Sequence, residues 1–393
     1  MRIVLLVCAL ATGSWLLAQE MPKRDLMNLS LLLPPEIPAV PGRECNIYFD
    51  NLVLCAPYLR NFLIVDVDCP KGVHQEERFT WTPTAADVGE YPLTIRFYDP
   101  QDDLLAEGTT IIRVYPPDAG AGQTLTILMM GDSLTHASVY PAELLALCQG
   151  EGNPTLTLIG THQPLADRPE VRHEGYGGWR ASTFVTMWGP EAWNATRQRT
   201  RSPFLYERDG KPVLDFQQYC DENNGGQGPD FVTILLGCND NFGAKDDTIE
   251  ASIEDFERHM ETLIAEMHRV RPDTRIGVIS LMPPAATQDA FGANYGCQYS
   301  RWQWRKNQHR VLERSFARYM GREAENIFFV PAYVNLDCVH NYGTSKGPAN
   351  ARTELEITRL NNGVHPAPSG YRQMADSLYC WLKGMLARRQ AQR

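Results

Sequence analysis

The sequence predicts an α/β protein, a three-layer domain with a parallel sheet between helices, preceded by a small all-β sandwich. Two textures and the break between them carry this. From about Leu31 to Tyr115 short β-type runs alternate with turn residues, and no helical period appears. Pro116-Pro-Asp-Ala-Gly-Ala-Gly is a linker by composition. Beyond it, apolar strands alternate with segments of 3.6-residue period. That alternation marks parallel strands joined by crossover helices, with both sheet faces covered.

Taken in order, the chain opens with Arg2 and an almost uncharged apolar run from Ile3 to Ala18. It ends on a small residue before Gln19 and is short for a membrane span. It predicts a cleaved signal peptide over residues 1–18 and a secreted or periplasmic protein. No other segment is long and apolar enough to span a bilayer, so no membrane segment is expected in the mature chain. The sandwich is expected over 25–117. Its strands are Asn46-Ile-Tyr-Phe, Phe62-Leu-Ile-Val-Asp-Val, Arg78-Phe-Thr-Trp, Tyr91-Pro-Leu-Thr-Ile-Arg-Phe-Tyr and Thr109-Thr-Ile-Ile-Arg-Val-Tyr. The stretch from Phe79-Thr-Trp-Thr-Pro through Gly89-Glu-Tyr to the last of these resembles immunoglobulin- or cadherin-like modules of bacterial secreted enzymes.

The second domain is expected over 118–393. Strands are predicted at Leu125-Thr-Ile-Leu-Met-Met, Thr155-Leu-Thr-Leu-Ile, Phe231-Val-Thr-Ile-Leu-Leu, Arg275-Ile-Gly-Val-Ile-Ser-Leu and Ile327-Phe-Phe-Val. Helices are predicted from Tyr140 to Cys148, Thr248 to Val270, Asn307 to Tyr319 and Ser369 to about Arg388. The second is the clearest: Ile249, Ile253, Phe256, Met260, Leu263, Ile264, Met267 and Val270 mark one face.

Composition sets limits. A net charge of −10 lacks the basic footprint of a nucleic-acid binder. Export permits disulfides among the nine cysteines that follow the signal, but their spacing fixes no pairing. No Cys/His spacing suits a zinc site, so no metal is expected.

Ligands in such sheets bind beyond the carboxyl ends of the strands. Four blocks fall there. Met130-Gly131-Asp132-Ser133-Leu134-Thr135 follows the first strand and places a hydroxyl at a helix entrance, although as a tetrapeptide Gly-Asp-Ser-Leu is equally an ordinary N-cap. Gly175-Tyr-Gly177-Gly178-Trp179-Arg180 lets backbone N–H groups approach a ligand. Leu236-Gly237-Cys238-Asn239-Asp240-Asn241 follows the third strand; Asn239 can donate into the site, and Asp240 reads as the cap of a following turn. Asn361-Asn362-Gly363-Val364-His365-Pro366 precedes the last helix. A lone His is most often a surface residue; the order of the four blocks gives this one meaning.

In that order, residues 125 to about 386 resemble the SGNH (GDSL-type) hydrolases, named for Ser, Gly, Asn and His in four blocks. The matching positions are Ser133, Gly178, Asn239 and His365. The resemblance implies a flavodoxin-like three-layer fold and a serine esterase without cofactor or metal. Ser133 is then the nucleophile and His365 its general base. The N–H groups of Ser133 and Gly178 and the Asn239 amide form the oxyanion hole.

This chain departs from the pattern in one place. The family carries Asp three residues before the catalytic His, where this chain has Asn362. Asn362 is expected to orient the imidazole by accepting its hydrogen bond, but it supplies no negative charge, so the chain reads either as a Ser–His dyad or as using another acceptor, a backbone carbonyl or a displaced carboxylate. Asp337-Cys-Val-His340 has the missing spacing, but His365 is preferred because Pro366, Ser369-Gly370-Tyr371 and the terminal helix follow it. Trp179, Trp188, Trp193, Trp302 and Trp304 flank the blocks; aromatic faces suit sugar rings, and Trp179 and Trp302 are the expected substrate contacts. The implied partner is a small-molecule or polysaccharide ester, most specifically an O-acetylated carbohydrate. The alternatives are a general short-chain or aryl esterase, and a catalytically silent glycan-binding protein.

Overall fold

The computed structural model describes residues 27–56, 59–190, 192 and 199–391. The predicted signal peptide lies outside them, as does Trp193. Among the described residues no helix is long and apolar enough to cross a membrane, and all nine cysteines are free.

Besides a two-residue antiparallel pairing of Met27–Asn28 with Leu54–Cys55, the first part holds two small sheets. One has the strands β1 (Glu36–Ala39), β3 (Ile64–Asp68), β6 (Gly89–Tyr98) and β7 (Leu104–Val114), in the order β1-β7-β6-β3. The other pairs β2 (Cys45–Tyr48), β4 (Val73–His74) and β5 (Arg78–Trp81), in the order β2-β5-β4. Alternation along β6 sends Leu93, Ile95 and Phe97 into a core with Ile47, Phe79 and Ile112.

The second part begins with β8 (Thr124–Gly131). With β9 (Thr155–Ile159), β10 (Phe231–Leu235), β11 (Arg275–Ile279) and β12 (Ile327–Val330) it forms a parallel sheet in the order β9-β8-β10-β11-β12. By sequence this is the 2-1-3-4-5 order of a flavodoxin-like fold, whose strand order reverses between its first and third strands. A two-residue strand, Glu174–Gly175, lies along the end of β8. Both faces are covered because successive residues point opposite ways. Ile127 and Met129 enter one core with helices α1 (Val139–Leu147) and α4 (Pro368–Ala391). Leu128 and Met130 enter the other with α2 (Ile249–Val270) and α3 (Arg301–Tyr319).

The sandwich is fused to the sheet's β12 edge. Its core continues into Leu312 of α3 and into Tyr333 and Val334, just after β12. Polar groups reinforce the seam. The Asn51 amide, 2% exposed, donates to the carbonyls of Tyr333 and Leu336, both at 2.8 Å. Arg305 is 4% exposed and donates to the carbonyls of Asp50 and Val53 at 2.6 and 2.8 Å. Burying a guanidinium is costly unless its N–H groups are met, and these two carbonyls, at the end of a one-turn helix, meet them. Asn46 and Tyr48 bond Asn335 and Asp337 across the same seam.

Asn51→Ala leaves the buried Tyr333 carbonyl unpaired and the Leu336 carbonyl with only the weak Cys338 S–H donor, and should cost about 2–3 kcal/mol. Because the two parts share a core, chemical denaturation should show one transition at a lower midpoint. Two separated transitions would contradict the shared core.

Candidate active site

Ser133 stands where β8 ends. A Cβ on Gly131 would lie 2.1 Å from Thr135 Oγ1 and 2.6 Å from the Leu235 carbonyl, so only glycine lets the strand turn there. Asp132 caps the helical turn 133–136, its Oδ1 accepting the Leu134 N–H at 3.0 Å. Ser133 thereby occupies the first helical position, whose N–H has no partner within the helix.

His365 reaches it from the other end of the domain. Its Nε2 is 2.8 Å from Ser133 Oγ, a hydrogen bond spanning 232 positions of sequence. If Nε2 accepts the hydroxyl proton, the neutral ring carries its own proton on Nδ1. The loop that presents the ring is pinned from several sides. Gly363 donates to Asn294 Oδ1 at 2.9 Å, Ala285 donates to the Gly363 carbonyl at 3.1 Å, and Ala367 donates to the Asn341 carbonyl at 2.9 Å. Burial lowers the His365 pKa from its ordinary value.

Asn362 does not play the expected part. Its Oδ1 accepts the backbone N–H groups of Val364 and His365 at 3.1 and 2.8 Å. It shapes the loop rather than holding the imidazole, because one acceptor oxygen serves the two main-chain donors. Among the described residues no carboxylate lies within 4.0 Å of the His365 ring, so the arrangement is a Ser–His dyad. The same turn recurs at 337–340 with its acid intact: Asp337 Oδ1 accepts the N–H groups of Val339 and His340, and Oδ2 meets His340 Nδ1 at 3.0 Å. His340 is paired there, with its side chain 69% exposed, and makes no hydrogen bond to Ser133.

The remaining two blocks supply donors. Trp179 N–H bonds the Tyr176 carbonyl at 3.2 Å, closing a turn in which Gly178 has φ +78. That value is the third position of a type II turn, which favours glycine. Gly178 is exposed, and among the described residues neither its N–H nor that of Ser133 is spent on another group. Asn239 follows β10, on the opposite side of β8 from β9. Its Nδ2 donates to the Trp179 carbonyl at 3.0 Å and, more loosely, to Asp132 Oδ2 at 3.3 Å. The second hydrogen is the one an incoming oxygen could share.

Two buried acids underlie these donors, and their contacts were not legible in the sequence. Burial pushes Asp132 up to about 7, and Asp240, its acidic neighbour, up to about 6. Asp240 does not cap the turn after it. Its Oδ1 accepts the Ala181 N–H at 3.0 Å, in a segment 59 positions earlier.

The expected aromatic platform is not formed by Trp179. Its side chain lies in the core, its ring centroid 4.2 Å from that of Tyr176 and 4.8 Å from that of Phe184. Burial of a large apolar ring against other rings outweighs display to solvent. Trp302 is half-buried on the first turn of α3 and takes part in no ring contact or hydrogen bond among the described residues. Trp304 packs on Phe242 in the core, and Trp188 lies under the Arg201 guanidinium.

Residues 127–378 match the family of GDSL-like lipases and acylhydrolases. No curated protein matches the chain. Among solved structures, a family 3 carbohydrate esterase from Clostridium thermocellum is 16% identical, with a TM-score of 0.41 over 67% of this chain and 98% of that one. A carbohydrate acetylesterase family member from Sinorhizobium meliloti is 14% identical, with a TM-score of 0.37 over 67% of this chain and 99% of that one. With the family matched over the sheet, the Ser133 turn and the His365 loop, the chain belongs to the GDSL-like lipase/acylhydrolases and is a serine ester hydrolase.

Proposed function

We propose that this protein is an exported esterase that removes O-acetyl groups from carbohydrate through an acyl-serine intermediate. The observation that carries the chemistry is the 2.8 Å contact of Ser133 Oγ with His365 Nε2, with the N–H groups of Ser133 and Gly178 unspent among the described residues. Oγ attacks the ester carbonyl as its proton passes to Nε2. The carbonyl oxygen gains charge among the Ser133 N–H, the Gly178 N–H and the Asn239 amide. The C–O bond to the alcohol then breaks and Nε2 returns the proton to the departing oxygen. Water attacks the acyl-serine by the same route and releases acetate.

The substrate reading rests on the polarity of the rim. Arg180 is exposed next to Gly178 and Trp179. A hairpin of Thr344–Pro348 and Glu356–Leu360 leads into the His365 loop and shows mostly charged and polar side chains. The large apolar residues most exposed among those described lie chiefly in the sandwich; in the catalytic part they are Val213 and Leu355. A long acyl chain would need an apolar bed, whereas a sugar alcohol with a short acyl group suits this rim. Export is inferred from the apolar run of residues 3–18.

Hydrolysis of p-nitrophenyl acetate and acetate release from acetylated glycans test the reading. Ser133→Ala and His365→Ala should each lower turnover by about 10³-fold or more, while His340→Ala should keep it. Turnover equal in wild type and Ser133→Ala on every ester would leave a silent glycan-binding protein. Turnover of aryl esters with none on glycans would leave a general short-chain esterase.

The pH profile follows from His365. The base must be neutral, and a lowered pKa keeps it neutral to more acidic pH. The acid limb of kcat/KM should therefore fall below 6.5, the ordinary histidine value. Asn362→Asp should keep the two main-chain hydrogen bonds, as Asp337 does, and add a carboxylate at Nδ1. A negative neighbour favours imidazolium, so this variant should keep or raise kcat and move the limb upward by about 1 unit. A large loss of kcat in the folded variant, or a limb moving down, would contradict this account of the loop.

A further inference from the structure

The segment 178–181 joins the exposed Gly178 turn to the short helix Ala181–Thr186. The Tyr176–Trp179 turn sets its path and the buried Trp179 ring weights it down. It is also held from across the sheet by two consecutive residues. Asn239 Nδ2 donates to the Trp179 carbonyl at 3.0 Å and Asp240 Oδ1 accepts the Ala181 N–H at 3.0 Å. Asp240 is itself fixed, since its carbonyl accepts from Ser252 Oγ of α2 at 2.8 Å. A 22-residue helix buried along one face thus anchors the loop that carries the second oxyanion donor.

Among the described residues Asp240 Oδ2 is a buried oxygen with no hydrogen-bond partner. Leaving such a group unmet costs about 1–3 kcal/mol, and orphaned polar atoms of this kind call for an explanation at functional sites. A main-chain N–H at a helix start would be met by water if the loop opened. Asp240 instead reaches 59 positions back in sequence to take it.

We propose that Asp240 is a positioning residue: by gripping the Ala181 N–H while Asn239 grips the Trp179 carbonyl, it fixes the Gly178 N–H at the oxyanion position. This rests on the oxyanion reading given above. Displacing a donor by about 1 Å costs on the order of 10²-fold in rate, and the loss appears in kcat because the charge arises only in the transition state.

The test compares Asp240→Ala, Asp240→Asn and Asn239→Ala on p-nitrophenyl acetate, with Ser133→Ala as the background and thermal melting as a check of folding. Asp240→Asn keeps an acceptor oxygen for Ala181 and removes the charge. The expected results are a kcat lower by about 30–100-fold in Asp240→Ala with KM within about 3-fold, and a kcat within about 5-fold of wild type in Asp240→Asn. Wild-type kcat in Asp240→Ala overturns the proposal. So does an equal loss in Asp240→Asn, which would make the charge, not the grip on Ala181, the active feature. If Asp240→Ala does not fold, Asp240→Asn decides alone: retained kcat supports the grip and lost kcat overturns it. Wild-type kcat in Asn239→Ala, with Ser133→Ala inactive, overturns the oxyanion reading and the proposal with it.

Discussion

The hydrogen bond between Ser133 Oγ and His365 Nε2 joins the end of β8, one strand in from the sheet's β9 edge, to a loop just ahead of the last helix. Neither residue holds the other; each is delivered by its own scaffold. Ser133 is fixed by the turn that Gly131 permits and Asp132 caps. His365 sits on irregular backbone, which needs outside partners to stay in place. It finds them in Asn294, Ala285, Asn341 and the Asn362 side chain. Without an acid at Nδ1, main-chain contacts carry the positioning that a third triad member would share.

Part of that support comes from the sandwich. Asn341 bonds Ala367, two residues beyond His365, and its own segment follows directly from the seam at Tyr333–Asp337. Asn46, Tyr48 and Asn51 of the sandwich hold that segment from one side, and Gln373 of α4 holds it from the other. The all-β part is therefore built into the frame of the catalytic loop rather than tethered beside it. The shared core of Leu312, Tyr333 and Val334 makes the frame continuous.

The sheet was legible because its strands are apolar on both faces, so Leu125 to Met130 or Phe231 to Leu235 read as buried runs from sequence alone. The four site blocks were legible because each follows a strand or precedes the final helix. What escaped depends on partners distant in sequence. Helix α3 begins at Arg301, six residues before Asn307, because Arg301 and Arg305 are buried by bonds to the carbonyls of Ala285, Asp50 and Val53. Hydropathy periodicity counts both arginines as solvent-facing. Trp179 was expected at the surface because nothing in its sequence neighbourhood announces Tyr176 and Phe184 as a ring pocket. Asn362 was read as a partner of the imidazole and Asp240 as the cap of its local turn, yet the folded loop shows that the first serves main-chain donors of its own turn and the second serves Ala181.

The central claim is that Ser133 is the nucleophile and that His365 alone activates it. Labelling with a p-nitrophenyl alkylphosphonate, followed by peptide mass spectrometry, tests it directly, because the reagent bonds to an activated serine and stays there. The account predicts one adduct, on the peptide containing Ser133, formed about 10²-fold or more slowly when His365 is replaced by Ala. An adduct on another residue, or labelling of Ser133 at an unchanged rate without His365, would contradict it.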